Sequence, residues 1–200
     1  MGGKMALREK ISKETILEAA EKIFSEFGFY NAKIYMIAEL AGVSVGTIYR
    51  FFRGKDDLYV EVIKKKLNEL QKEIDKRMKG KPPTEAINAY ISTVVDFFER
   101  ERSFFTIFSR EVGTNSIVTG DSPELSDWYK KHLRKLARVI SRGVRSGKFK
   151  NLNPMATAIF IAGAIKNSVY ARSRGLTATS AEELKELLRE LIFEGMVKHR

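Results

Sequence analysis

The stretch Ile34-Tyr35-Met36-Ile37-Ala38-Glu39-Leu40-Ala41-Gly42-Val43-Ser44-Val45-Gly46-Thr47-Ile48-Tyr49-Arg50-Phe51-Phe52 decides how the rest of the chain is read. Ile37, Ala38 and Ala41 fall on one side of a two-turn helix. Gly42 permits the left-handed backbone of a sharp turn, because it has no Cβ to clash. Val43 plugs the turn, Ser44 suits an N-cap, and Ile48, Phe51 and Phe52 face inward from a second short helix. Ala38 is small enough for the two helices to cross closely. This is the spacing of a helix-turn-helix, whose second helix can enter a DNA major groove. A corner between two packed helices can use the same Ala-Gly-apolar spacing, so the exposed residues must separate the two readings.

Those exposed residues are Val45, Gly46, Thr47, Tyr49 and Arg50, and none is acidic. Gly46 removes bulk where backbone would approach a sugar–phosphate chain. Thr47 and Tyr49 offer hydroxyls, and Arg50 offers a cationic fork. Lys55 adds charge at the start of the next helix, where free amides already favour a phosphate.

Upstream, Ile16, Ala19, Ala20, Ile23, Phe24 and Phe27 recur on one helical face, with Ser12 as N-cap and Gly28 as the stop. With Thr15-Ile16, Gly28-Phe29, Ala41-Gly42-Val43-Ser44, Gly46-Thr47-Ile48-Tyr49, Phe51-Phe52, Lys55 and Leu58, this set resembles the N-terminal signature of the tetracycline-repressor (TetR) family over about the first 60 residues. The resemblance implies a homodimeric, ligand-responsive transcriptional regulator with a three-helix DNA-binding head and a larger helical body. It also implies DNA contact at the positions of Val45, Thr47, Tyr49 and Lys55. Two departures stand out. Ala32 and Lys33 occupy positions where the family usually has Thr or Ser, which leaves Asn31 to cap and Lys33 to take a phosphate. Tyr35 and Met36 replace polar or charged residues; Tyr35 can reach a phosphate or pack on a neighbouring helix.

Beyond the head, almost every segment reads as helix, giving an all-α class of about nine helices. The expected division is a DNA-binding domain over 1–54 and an effector-binding and dimerisation domain over 55–200. A long helix runs from Lys55 to Met78, and Gly80-Lys81-Pro82-Pro83 marks a corner. Helices follow over 84–101 and 103–112, then a polar loop over 113–122. Pro123 opens a helix to about 146, Pro154 opens one to about 173, and the last covers 181–197.

Composition bounds the chemistry. The 200 residues carry 36 basic and 25 acidic side chains, a formal charge of +11, with 44% hydrophobic residues and no cysteine. Disulfides, thiol nucleophiles and Cys-ligated zinc are excluded. His132 and His199 are the only imidazoles. No paired carboxylates, nucleophile–base set, Gly-rich phosphate loop or metal motif occurs, so neither an enzyme nor a cofactor is expected. The chain opens on charged residues, and its longest weakly polar run, 155–165, is too short for a bilayer that needs about 20 residues. A cytoplasmic protein with no membrane partner is expected. The competing reading is a helical lipid or ligand carrier in which the helix-turn-helix is only structural.

The charge is unevenly spread. Residues 1–66 hold a net +3, whereas 130–150 hold nine Lys or Arg and no acid. On their helix, Lys130, Lys131, Arg134, Lys135, Arg138, Arg142 and Arg145 lie opposite Leu133, Leu136, Ala137, Ile140 and Val144. Either this is a solvated face, or part of it receives an anionic group such as the phosphates of an acyl-CoA.

Phe97, Phe98, Phe104, Phe105 and Phe108 crowd together, with Tyr90 before them and Trp128 and Tyr129 after. Core packing is one reading; the other is an aromatic-lined site for a small, largely apolar effector, a fatty acyl-CoA or another lipid-like molecule. Arg110, Asn167 and Tyr170 are its candidate polar anchors. The last two helices carry small residues (Ala156, Ala162, Gly163) and an apolar seam (Ile159, Phe160, Leu184, Leu187, Leu188, Leu191, Ile192). They are the expected homodimer surface, which would set two recognition helices on palindromic double-stranded DNA. Repression and activation are both open.

Overall fold

The computed structural model describes residues 2–113 and 122–197, with side chains from Lys13 to Phe108 and from Ser122 to Val197. Nine helices are found among the described residues: α1 (Gly2–Asn31), α2 (Ile34–Ala41), α3 (Val45–Phe51), α4 (Lys55–Met78), α5 (Pro83–Arg100), α6 (Arg102–Gly113), α7 (Pro123–Arg145), α8 (Pro154–Ser173) and α9 (Ala181–Met196). The all-α expectation holds; the described extended pairing is an isolated bridge between Phe149 and Val197. The expected loop over 113–122 lies largely outside the described residues.

The helices divide into two compact units. The first holds α1 to α3, the first half of α4 to Leu67, and α6. The expected 1–54 head falls within it. Ile16, Ala20 and Phe24 of α1 are fully buried, as are Ile37 of α2, Ile48 of α3 and Leu58 of α4. α1 packs against both α2 and α6. Gly28 interrupts α1 with φ 73° and ψ 170°, so the stop expected there is a kink followed by a short continuation to Asn31. Two capping expectations fail. α1 extends back to Gly2, which places Ser12 inside the helix. Asn31 is the last residue of α1, and the N-cap of α2 is Lys33, whose side chain makes no capping bond.

The second unit holds the rest of α4 with α5, α7, α8 and α9. α7 and α8 pack along each other, and α5 touches α7, α8 and α9. Gly80 takes φ 72° at the expected corner. Pro83 then sits in the first turn of α5, where its missing N–H costs nothing. The end of α7 is closed by a tight device. The amides of Lys148 and Phe149 both donate to Gly143 O, at 3.0 and 3.1 Å. Phe149 is 1% exposed, and a Cβ on Gly143 would fall 2.1 Å from its ring. α8 is capped by Asn153, which accepts from the amides of Met155 and Ala156, and α9 by a reciprocal Ser180–Glu183 box.

Candidate nucleic-acid interface and body cavity

The turn between α2 and α3 is set by local chemistry. Gly42 adopts φ 65°, a left-handed conformation, and the amides of Gly42 and Val43 close the end of α2 on Glu39 O and Ala38 O. Ser44 then caps α3: its Oγ accepts from Thr47 N at 3.1 Å and lies 2.9 Å from Thr47 Oγ1. When Ser44 donates in that second contact, the Thr47 hydroxyl keeps its own hydrogen for an outside acceptor. Ile48 is buried beneath, and α3 is thereby held with its opposite face outward.

That outward face matches the one read from sequence. Val45, Gly46, Tyr49 and Arg50 are exposed, Thr47 is half-buried, and Tyr49 retains 55% of its surface. Among the described residues a Cβ on Gly46 would meet only Ser44 Oγ, at 3.7 Å, so none of them requires glycine there. Arg50 lies with its guanidinium 5.0 Å from the Phe51 ring centroid. Lys33 and Tyr35 are exposed at the start of α2. Of the two readings left open for Tyr35, its 62% exposure does not suit burial against a neighbour.

Lys55 has more to do inside the fold than its sequence position suggests. Its Nζ donates to Ala32 O at 3.1 Å and Tyr30 O at 3.3 Å, and sits 4.5 Å from the Phe29 ring centroid. The ammonium thus closes the carbonyl end of α1. With two of its three N–H donors used, one is left for a phosphate.

In the second unit a cavity of about 330 Å³ opens among α4, α5 and α7. Its apolar wall is Ile74, Met78, Leu136 and Val139, and Tyr90 closes one end. A polar chain runs along its edge. Gln71 Oε1 can only accept, so His132 Nδ1 donates to it at 2.9 Å. His132 Nε2 is then unprotonated and accepts from Tyr90 Oη at 2.8 Å. Gln71 Nε2 donates to Asp75 Oδ1 at 2.8 Å, and Lys135 Nζ donates to Asp75 Oδ2 at 2.6 Å. The chain reads Tyr90 to His132 to Gln71 to Asp75, met from the far end by Lys135, and ties α5, α7 and α4 together.

Burial sets the charge states along it. His132, 7% exposed, is pushed down to about 4, first by burial and then by the Lys135 charge, against a smaller opposing effect of Asp75. Burial drives the Tyr90 phenol up, with Tyr129 adding to the effect. Both are neutral at physiological pH. Trp128 stacks on the His132 ring at 5.0 Å between centroids, shielding it further.

Among the candidate effector residues, Tyr90 lines this cavity, and Trp128 and Tyr129 stack beside it on His132. Phe97 and Phe98 are buried in the same unit and meet edge to face at 5.8 Å. Phe104, Phe105 and Phe108 belong to the first unit, with Phe104 and Phe108 5.7 Å apart. Asn167 and Tyr170 are exposed on α8, and the Arg110 side chain lies outside the described residues. Sequence reading missed Gln71, Asp75 and His132 as a set. The signals available in sequence were an imidazole on the apolar side of an otherwise basic helix and, separately, a Gln–Asp pair one turn apart on α4.

Comparison with known proteins gives the same picture at the level of family. The model described as "Bacterial regulatory proteins, tetR family" matches residues 16–62, and "Tetracyclin repressor-like, C-terminal domain" matches residues 83–194. The HTH-type transcriptional regulator YhgD of Bacillus subtilis is 30% identical over 149 residues, which is 73% of this chain and 76% of that protein. The fatty acid metabolism regulator protein of Bacillus subtilis is 24% identical over 136 residues, 68% of this chain and 69% of that protein. The fold is shared with the crystal structure of the transcriptional regulator FadR from Bacillus subtilis in complex with stearoyl-CoA. There the TM-score is 0.78 at 23% identity, over 91% of this chain and 98% of that one.

Proposed function

The chain belongs to the tetR family of bacterial regulatory proteins and is a transcriptional regulator, and from that premise we propose a repressor that leaves its operator when a small, largely apolar effector occupies the helical body. The observation that carries the reading is the acid-free face of α3, held outward by the Gly42 turn and the Ser44 cap. Val45, Gly46, Thr47, Tyr49 and Arg50 face the major groove, with Lys33, Tyr35 and the free donor of Lys55 on flanking phosphates. Residues 1–54 act as the DNA-binding domain and 55–200 as the effector-binding and dimerisation domain.

Two copies pair through α8 and α9, where Ile159, Phe160, Leu187 and Leu191 stand exposed, Phe160 at 67% and Leu191 at 64%. Large apolar side chains left this open favour an interface, and a twofold dimer matches a palindromic operator. The relative that binds stearoyl-CoA supports a fatty acyl-CoA or similar lipid-like effector. Effector in the body biases α4, whose two halves serve the two units, and by linkage operator DNA weakens effector binding by the same factor.

A gel-shift assay on fragments of the source genome, the protein's own promoter included, tests the reading. Salt-sensitive, sequence-selective binding that an acyl-CoA reverses is expected. Equal affinity for all fragments would contradict it.

A further inference from the structure

The cavity among α4, α5 and α7 is apolar within and cationic at its mouth. Lys79, Arg138 and Arg142 are exposed there, and their side chains have no ion pair among the described residues. Lys135, the fourth cation, is held by Asp75. A concave, low-dielectric wall beside several like charges concentrates positive potential at the opening. A merely solvated basic face has no need of an apolar recess under it, and a wholly apolar ligand gains nothing from three unpaired cations. Its volume of about 330 Å³ falls within the range of small-molecule sites.

We propose that this cavity takes an anionic amphiphile, its apolar part against Ile74, Met78, Leu136 and Val139 and its carboxylate or phosphate head on Lys79, Arg138 and Arg142, where it competes with Asp75 for Lys135. The proposal rests on the effector reading above and adds the place, the head-group charge and the sensing step. Lys135 is the hinge of that step because it ends the hydrogen-bond chain. Once Lys135 turns to the ligand, Asp75 loses its counter-charge, and the Lys135–Asp75 tie between α7 and α4 is broken beside the Gln71–His132 bond. Occupancy of the cavity is thus read by α4, which supplies both Gln71 and Asp75.

The test is calorimetric titration of the full-length protein with dodecanoate, dodecanoyl-CoA and dodecanol, all below their micellar concentrations, alongside DNA release measured separately. At least one anionic probe is expected to bind ten-fold or more tighter than dodecanol, and which one binds tighter tells a carboxylate head from nucleotide phosphates. The exposed pair Arg138→Gln/Arg142→Gln should weaken the anion ten-fold or more and leave dodecanol unchanged. Asp75→Asn should tighten the anion several-fold, whereas Lys135→Gln should loosen it; a merely structural role would not give opposite signs. Binding of dodecanol as tight as either anion, an unchanged Arg138→Gln/Arg142→Gln protein, or no binding of either anion would overturn the proposal. Charge-dependent binding without DNA release would uphold the site and refute the effector reading.

Discussion

Tyr90 Oη lies 2.8 Å from His132 Nε2, a buried hydrogen bond that joins α5 to α7 and takes its direction from the tautomer that Gln71 Oε1 imposes on the imidazole. Because His132 Nδ1–H is already given to Gln71, protonating Nε2 would reverse this bond: Nε2–H would donate to Tyr90 Oη, and the buried phenol hydrogen would lose its acceptor. With a neutral imidazole the phenol keeps its acceptor, and burial together with the Lys135 charge favours that state.

Stability should fall in acid, because burial and the Lys135 charge oppose protonation of His132. His132 is depressed to about 4 in the folded state, from an ordinary value of 6.5. Between those values the unfolded chain binds more protons than the folded one, so the contribution is complete above pH 6.5 and is lost as pH drops toward 4. The full swing is about 3 kcal/mol, from roughly 1.4 kcal/mol per pH unit. Urea unfolding at pH 7.5, 6 and 5 checks it, and His132→Gln should flatten the slope in that window.

Gly46→Ala separates DNA contact from folding. The new Cβ meets nothing closer than 3.7 Å, and alanine is favoured over glycine in a helix by about 1 kcal/mol. Thermal stability should be unchanged or higher while operator affinity drops. Loss of both together would mean that Gly46 is needed by the fold.

Gly143→Ala should do the reverse. Helix propensity favours the change, yet the added Cβ would sit 2.1 Å from the Phe149 ring, which is packed in the core. Overpacking of this kind costs about 1–3 kcal/mol. Phe149→Leu in the same chain should recover part of the loss, seen as non-additivity in a double-mutant cycle.

Charging the proposed dimer surface should split the assembly without unfolding it. Phe160→Glu and Leu191→Glu both fall on exposed positions. Analytical ultracentrifugation is expected to show monomers with native circular dichroism. A dimer that persists would move the interface elsewhere.

The helix-turn-helix was legible because its determinants are local. Gly42, Ser44 and Thr47 act on neighbours within five residues, so their roles survive in a one-dimensional reading. The cap of α2 was misread for a related reason: a missing Ser or Thr at Ala32 and Lys33 suggested a substitute, whereas the structure leaves α2 without a side-chain cap. The role of Lys55 on the carbonyls of Tyr30 and Ala32 was hidden by a separation of more than twenty residues. The cavity was hidden for the same reason. Gln71 and Tyr90 meet His132 across 61 and 42 residues, and periodicity carries no information about such pairs. The crowding of phenylalanines from Phe97 to Phe108 looked like one cluster in sequence, but the compact units divide it between Glu101 and Arg102.

The most direct test of the central claim is fluorescence anisotropy on duplex DNA selected by the protein from random sequence, at fixed salt, comparing the native chain with Thr47→Ala/Tyr49→Phe. The expected result is a correctly folded variant that loses at least ten-fold in affinity for the selected duplex and little for unrelated DNA. A variant that keeps both its affinity and its selectivity would contradict DNA recognition through α3.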